Sequence, residues 1–220
     1  SLVDQKLLSD KYYSDAKSRV FLRRGYSLNK IRYNLIKKGI DETMNIDNTK
    51  HSLFGASKLA ADIYCQEYSK YFNLKIGVFR GSCLTGPLHR GAELHGFINY
   101  LIKAAKEKKK YYIFGYKGKQ VRDNIHSEDV AHGLWQFYKT KNNSGVYNIG
   151  GGRRNSCSIL EIIDILKNKH DIVTKYQILK KNRSGDHIWY ISDNSKFINM
   201  HKNWKIKRSL SNIISEIIKN

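Results

Sequence analysis

The chain has 220 residues, with 40 Lys plus Arg against 19 Asp plus Glu and a formal net charge of +21. That length buries one substantial core, as one domain or a domain and a half, and the three cysteines, Cys65, Cys83 and Cys157, are odd in number and lack metal-ligand spacing, which argues against a disulfide framework or a metal site. No run reaches the roughly 18 apolar residues of a membrane span, and residues 1–10 lack the basic-then-apolar layout of a signal peptide, so a soluble, cytoplasmic protein with no membrane attachment is expected.

Residues 2–8 predict a short strand, and the polar, Arg- and Lys-rich residues 13–49 a long irregular connection. From 53 to 72 the apolar positions Ala56, Leu59, Ala60, Ile63, Tyr64 and Tyr68 recur at helical spacing, and residues 74–79 form a compact strand pattern. A helix feeding a strand points to an α/β layer. After a loop at 81–91, a second helix is predicted over about 93–106, then strands at 111–114 and 120–125 around a glycine-containing turn. Ser127 reads as an N-cap with the acidic Glu128 and Asp129 in the first turn, opening a helix to about Tyr138. A strand at 146–149 ends in Gly150, Gly151 and Gly152. Ser158 opens an amphipathic helix to about Lys167, residues 176–179 predict a strand, and 210–218 a closing helix.

The sequence around His51-Ser52-Leu53-Phe54-Gly55-Ala56-Ser57-Lys58 places positions 54 and 58 one helical turn apart on one face. Taken alone, Phe54 reads as a core aromatic and Lys58 as a solvated lysine, because so short a pattern is weakly specific. Other segments follow in order. Upstream is Leu8-Ser9-Asp10-Lys11-Tyr12-Tyr13, and downstream is Phe79-Arg80-Gly81-Ser82-Cys83-Leu84-Thr85-Gly86-Pro87. The longest is Gly115-Tyr116-Lys117-Gly118-Lys119-Gln120-Val121-Arg122-Asp123-Asn124-Ile125-His126-Ser127-Glu128-Asp129-Val130-Ala131. It is followed by Tyr147-Asn148-Ile149-Gly150-Gly151-Gly152 and Arg183-Ser184-Gly185-Asp186.

These segments resemble, in chain order, the later motifs of the extended short-chain dehydrogenases, the NAD-dependent epimerase/dehydratase family. Residues 52–58, 93–97 and 118–127 most resemble its CDP-paratose 2-epimerase (CDP-tyvelose epimerase) branch. The resemblance covers nearly the whole chain and is weakest at 16–45. It implies an α/β fold, the later part of a Rossmann-type parallel sheet plus a small C-terminal α/β substrate-binding region. Residues 1–80 would be a partial Rossmann-type domain and 81–220 mainly substrate-binding, with some segments returning to the sheet. It also implies bound NAD and a nucleoside-diphosphate sugar, CDP- or UDP-linked, used in surface-polysaccharide sugar synthesis.

By the same resemblance Ser9, Phe54 and Lys58 hold the catalytic positions. In that chemistry a tyrosinate, its pKa lowered by the lysine, takes a proton from a sugar hydroxyl while hydride passes to the nicotinamide. Phe54 stands at the tyrosine position and carries no ionisable oxygen. Lys58 and Arg80 fall at cofactor positions. Ser82, Glu93, Arg122, Arg183 and Asp186 fall at substrate positions, the two arginines suited to bidentate contact with the diphosphate. Asp129 reads as a cap that orients its helix, His126 as a packed, hydrogen-bonded residue, and residues 150–152 as a strand-end turn.

A dinucleotide fold begins with a strand and a Gly-x-Gly-x-x-Gly loop, a motif this sequence does not contain. The resemblance begins at the strand carrying Ser9, so the first strands, roughly a hundred residues, are expected to be missing. Three readings stay open. The first is an epimerase whose cofactor half comes from another chain, or which pairs as a homodimer. The second is a nucleotide-sugar-binding module without turnover. The third is a nucleic-acid or anionic-surface binder, which the charge permits but the spread of lysines and the lack of a nucleic-acid motif disfavour.

Overall fold

The computed structural model describes residues 39–44, 52–93, 95–141, 144–183 and 186–220. The predicted strand at 2–8, Ser9, and most of the predicted connection at 13–49 lie outside the described residues.

Helix α1, Leu53–Phe72, starts at Ser52, whose Oγ accepts the Gly55 amide at 3.0 Å, and stops at Asn73 in the left-handed conformation. Strand β1, Gly77–Gly81, then pairs in parallel with β5, Gly145–Ile149. The second sheet is organised around β4, Val121–His126. One edge of β4 takes β2, Cys83–Thr85, beside residues 124–126 and β8, Trp189–Tyr190, beside residues 121–122, both parallel. The other edge takes β6, Ser156–Ser158, antiparallel. Strands β3, Tyr111–Phe114, and β7, Tyr176–Leu179, form a third, parallel pair. The helices are α2, Phe97–Lys106; α3, Ser127–Lys139; α4, Ile159–His170; α5, Ser195–Met200; and α6, Leu210–Lys219. Short 3₁₀ turns occupy Tyr116–Gly118 and Arg153–Asn155. This is the mixed α/β arrangement with parallel strands that the sequence predicts.

Two apolar cores flank the central sheet. The larger joins Ile98, Leu101 and Ile102 of α2, Ile113 of β3, Ile162 and Leu166 of α4, and Ile213 and Ile214 of α6. The smaller joins Ile125, Tyr147, Ile149, Phe197 and Trp204. Strand β4 touches both: it supplies Ile125 to the smaller core, while its partner β6 supplies Cys157 to the larger. Among the described residues, no helix is long and apolar enough to cross a membrane.

Several boundaries shift for local reasons. The predicted loop at 81–91 contains β2, and the predicted helix start near 93 moves to Phe97. Ala92 and His95 exchange backbone hydrogen bonds, and Gly96 stands at φ 68, a left-handed conformation that suits glycine and delays the helix. The cap of α3 is His126 rather than Ser127: the His126 Nδ1 accepts the Glu128 amide at 3.1 Å. Asp129 does not cap its helix. It is buried and accepts the Lys207 and Arg208 amides at 3.1 and 3.0 Å, tethering the segment that leads to α6. Ser158 caps α4 as predicted, in a capping box with Glu161.

Candidate functional site

Most of the predicted substrate residues gather where β4, β8 and the turn at 183–187 meet. Arg122 on β4 directs its guanidinium at that turn. Its Nη2 donates to Asp186 Oδ1 at 2.6 Å and to the His187 carbonyl, and its Nη1 donates to the Val121 carbonyl at 2.7 Å. Both side chains of the pair are 16% exposed, so the charges meet in a partly dehydrated setting where a hydrogen-bonded ion pair is stronger than at an open surface. The turn itself is closed by the Asp186 amide donating to the Arg183 carbonyl at 3.4 Å.

The cluster extends to two buried neutral groups. Burial pushes the Cys83 thiol up to about 11, with Arg122 pulling it down and Asp123 and Asp186 pushing it up. Burial also raises Tyr111, and the charges of Arg183, Glu93 and Asp186 act on it. Arg122, Asp186 and Arg183 are thus joined by direct contacts, whereas Glu93 sits in the exposed turn before α2. Tyr190 on β8, the register partner of Arg122, is pushed up to about 12 mainly by burial. Ser82 donates its amide to the Ile149 carbonyl at 3.2 Å, and its buried Oγ has no hydrogen-bond partner among the described residues.

Arg80 stands near the C-terminal end of β1, two residues before Ser82. Its Nε donates to Asp62 Oδ2 on α1 at 2.7 Å and its Nη1 to the Glu42 carbonyl at 3.0 Å, so it ties helix, strand and the 39–44 segment together. Phe54 and Lys58 form an exposed pair at the start of α1: the Lys58 Nζ lies 5.4 Å from the Phe54 ring centroid. Phe54 is 65% exposed, so among the described residues it is not the core aromatic its residue type suggests. Ser9 lies outside the described residues, so its distance to this pair is not part of the geometry.

Among the described residues no group of His, Cys, Asp and Glu could hold a metal ion. Sequence reasoning assigned no role to Asp123, Cys83 or Tyr190 at the site. Asp123 and Cys83 stood inside the quoted motifs, but their convergence is tertiary and has no signature in spacing.

Comparison with known proteins shows the family. Residues 36–150 match the family described as NAD dependent epimerase/dehydratase family. The chain is 32% identical over 184 residues to a CDP-paratose 2-epimerase of Salmonella typhi, covering 79% of this chain and 53% of that protein. It is 28% identical over 177 residues to a UDP-glucuronate 4-epimerase of Thermodesulfobacterium geofontis, covering 79% and 52%. It thus spans about half the length of the curated relatives it matches. Among solved structures, the UDP-glucuronic acid 4-epimerase of Bacillus cereus, with UDP-glucuronic acid and NAD, superposes with a TM-score of 0.70 at 29% identity over 82% of this chain and 56% of that one. A tyrosine-to-phenylalanine mutant of that enzyme, in complex with UDP-4-deoxy-4-fluoro-glucuronic acid and NAD, matches equally well.

Proposed function

This chain belongs to the NAD dependent epimerase/dehydratase family, and from that membership we propose that it carries the nucleotide-sugar end of an NAD-dependent epimerase acting on a CDP- or UDP-linked sugar in surface-polysaccharide synthesis. The observation that supports this most is the Arg122 guanidinium, held on β4 by Asp186 and the His187 carbonyl beside the turn that begins at Arg183. A planar guanidinium held by a carboxylate and two carbonyls is oriented before a ligand arrives. Its Nη2 hydrogens are both given to Asp186 and the His187 carbonyl, so on that edge the Nε hydrogen is the donor that would meet a phosphate oxygen, as a single charge-assisted hydrogen bond. Arg183, at the start of the same turn, supplies a second positive charge. Ser82, by resemblance a substrate residue, follows β1 with its hydroxyl buried. We assign the region from 81 onward mainly to substrate binding and residues up to 80, with α1 and β1, to part of the Rossmann-type domain.

NAD, when bound, supplies the hydride acceptor and donor for a sugar carbon. The residues present fit one end of it. Lys58, one turn after Phe54, suits contact with the nicotinamide ribose. The glycine-rich loop that cradles the pyrophosphate is not in this sequence. The proton-transfer end is altered, since Phe54 supplies no ionisable oxygen. Losing a general base costs about 100-fold to 10,000-fold in rate, which leaves turnover dependent on another oxygen, for which we assign the Ser9 hydroxyl. Binding does not require the phenol: the Bacillus cereus mutant carrying a tyrosine-to-phenylalanine change holds both a UDP sugar and NAD in its crystal. Phe54 thus favours a second reading, a nucleotide-sugar-binding module without turnover. The protein acts in the cytoplasm, and nucleic acid is not its partner.

Calorimetric titration with CDP and UDP sugars, with and without NAD and at two salt concentrations, tests this. Saturable binding selective for one base is expected. The absence of binding by a cooperatively folded sample would sink the reading.

A further inference from the structure

Arg122 and Asp123 are neighbours on β4 and act in different directions. Arg122 reaches the turn at 183–187, whereas Asp123 is fully buried and its Oδ2 accepts two backbone amides, Gly152 at 2.9 Å and Ser192 at 3.1 Å. The two amides belong to different parts of the chain: the turn that ends β5 and the segment that leaves β8. We infer that Asp123 is a positioning residue of the nucleotide-sugar site, fastening both of these segments to β4 and thereby fixing the bearing of Arg122. This deepens the proposed function and rests on it for the ligand, though not for the fastening itself.

The route from Asp123 to Arg122 runs through residues 186–192. That stretch is held against β4 at both ends. At its start the Arg122 guanidinium binds Asp186 and the His187 carbonyl. In the middle the Val121 amide donates to the Ile188 carbonyl at 2.8 Å, and Arg122 and Tyr190 are register partners. At its end Asp123 holds the Ser192 amide, with Ile40 bracketing the same point through the Ile191 carbonyl and the Asp193 amide. Release of the Asp123 anchor removes the bond that ties that end to β4 and leaves the two-residue β8 pairing to hold Asp186 in the position from which it orients the guanidinium. An arginine with a wandering counter-ion loses the preorganisation that makes its phosphate contact strong.

The second observation is independent of these hydrogen bonds. A Cβ added to Gly150 would lie 2.4 Å from Asp123 Oδ2 and 2.3 Å from Ser192 Oγ, and one added to Gly151 would lie 1.9 Å from the Asn124 carbonyl oxygen. The turn therefore lies directly on β4 and on this carboxylate, with no room for a side chain between them. Residue 150 is glycine for clearance and not for a left-handed backbone, since its φ is not positive. The Gly150 amide and carbonyl are in turn both bonded to Asn194, at 3.0 and 2.8 Å, which closes the same knot from the far side.

The test pairs amide hydrogen exchange with nucleotide affinity. Asp123→Ala should accelerate exchange at both Gly152 and Ser192 by about tenfold or more, because each amide loses its acceptor in a buried setting. Asp123→Asn keeps an oxygen for both amides and should stay within about threefold of the wild type. Gly150→Ala, which forces the same carboxylate aside, should reproduce the Asp123→Ala pattern and serves where Asp123→Ala folds poorly. CDP or UDP affinity should fall about tenfold in Asp123→Ala, and should fall no further when the change is made in an Arg122→Ala background. Unchanged protection of Gly152 and Ser192 would overturn the fastening role. An equal loss of affinity with and without Arg122 would overturn the route through Arg122. If the wild-type chain binds no nucleotide, the proposed function falls, while the exchange measurement still decides whether Asp123 holds the two segments.

Discussion

Helices α1 and α2 make opposite use of apolar side chains. Six of the ten residues of α2 are buried, Ile98, Asn99, Leu101, Ile102, Ala104 and Ala105, whereas none of the twenty residues of α1 is. Leu53, Phe54, Ile63, Tyr64, Tyr68, Tyr71 and Phe72 of α1 are exposed among the described residues. The periodicity that predicts each helix is of the same kind. It reports which positions share a face and says nothing of what covers that face. The packed region around β4 is held by interdigitated side chains, and α1 is fastened to it through the Arg80–Asp62 ion pair and its run into β1.

The sharpest way to break this comparison is to truncate one side chain from each region. Trp204 is fully buried and donates its Nε1 to the Asp129 carbonyl at 2.8 Å, so Trp204→Ala should cost about 3–5 kcal/mol of unfolding free energy in denaturant titration. Asp129→Ala comes next. It removes the acceptor of two partly buried backbone amides and should cost about 2 kcal/mol by the same assay. Asp62→Asn should cost about 1–2 kcal/mol and raise protease sensitivity within α1, since the ion pair with Arg80 joins helix to strand. Smallest of all, Tyr68→Ser or Tyr71→Ser should change stability by no more than about 0.5 kcal/mol. A Tyr68→Ser loss as large as that of Trp204→Ala would show that the exposed face of α1 is covered in solution and would erase the contrast.

Titration sharpens the same contrast inside the packed region. Burial, helped by the charge of Lys75, lowers the pKa of His201, which lies against Phe197 with ring centroids 4.4 Å apart. A histidine whose folded pKa is below its ordinary 6.5 contributes stability that is present above that value and is lost as pH falls through the folded pKa. Burial raises Asp123, so the sign is reversed: the stability it contributes is present below its unfolded pKa and is lost as pH rises through the folded pKa. Melting temperature followed against pH should therefore fall more steeply on acidification below 6.5 for the wild type than for His201→Gln. On the alkaline side of the Asp123 folded pKa, Asp123→Asn should lose less stability than the wild type.

Much of the fold was legible because its helices announce themselves. Residues 53–72 and 210–219 carry clear periodicity, and Ser158 with Glu161 is a capping box visible in the sequence. Strands β2, β6 and β8 were not legible, since two or three residues carry no period and become strands by pairing with β4. The same holds for α5, six residues long, which is fixed by burying Phe197. At the site, the residue types of Arg122, Arg183 and Asp186 stood out within their motifs. That Asp186 engages Arg122, and that Asp123 joins turns about thirty and seventy residues away, follows from tertiary contacts. The capping of α3 by His126 was hidden for a related reason. Serine is the commoner cap, and the choice of the preceding residue depends on the imidazole being buried at the end of β4.

The measurement that bears most directly on the central claim, a diphosphate site organised by Arg122, is calorimetric titration of the wild type and Arg122→Ala with CDP and UDP and with the matching nucleosides. The account predicts that the preferred diphosphate binds the wild type and that Arg122→Ala weakens it by about tenfold or more, while any nucleoside affinity is unchanged. Equal diphosphate affinities for the two folded proteins would contradict it.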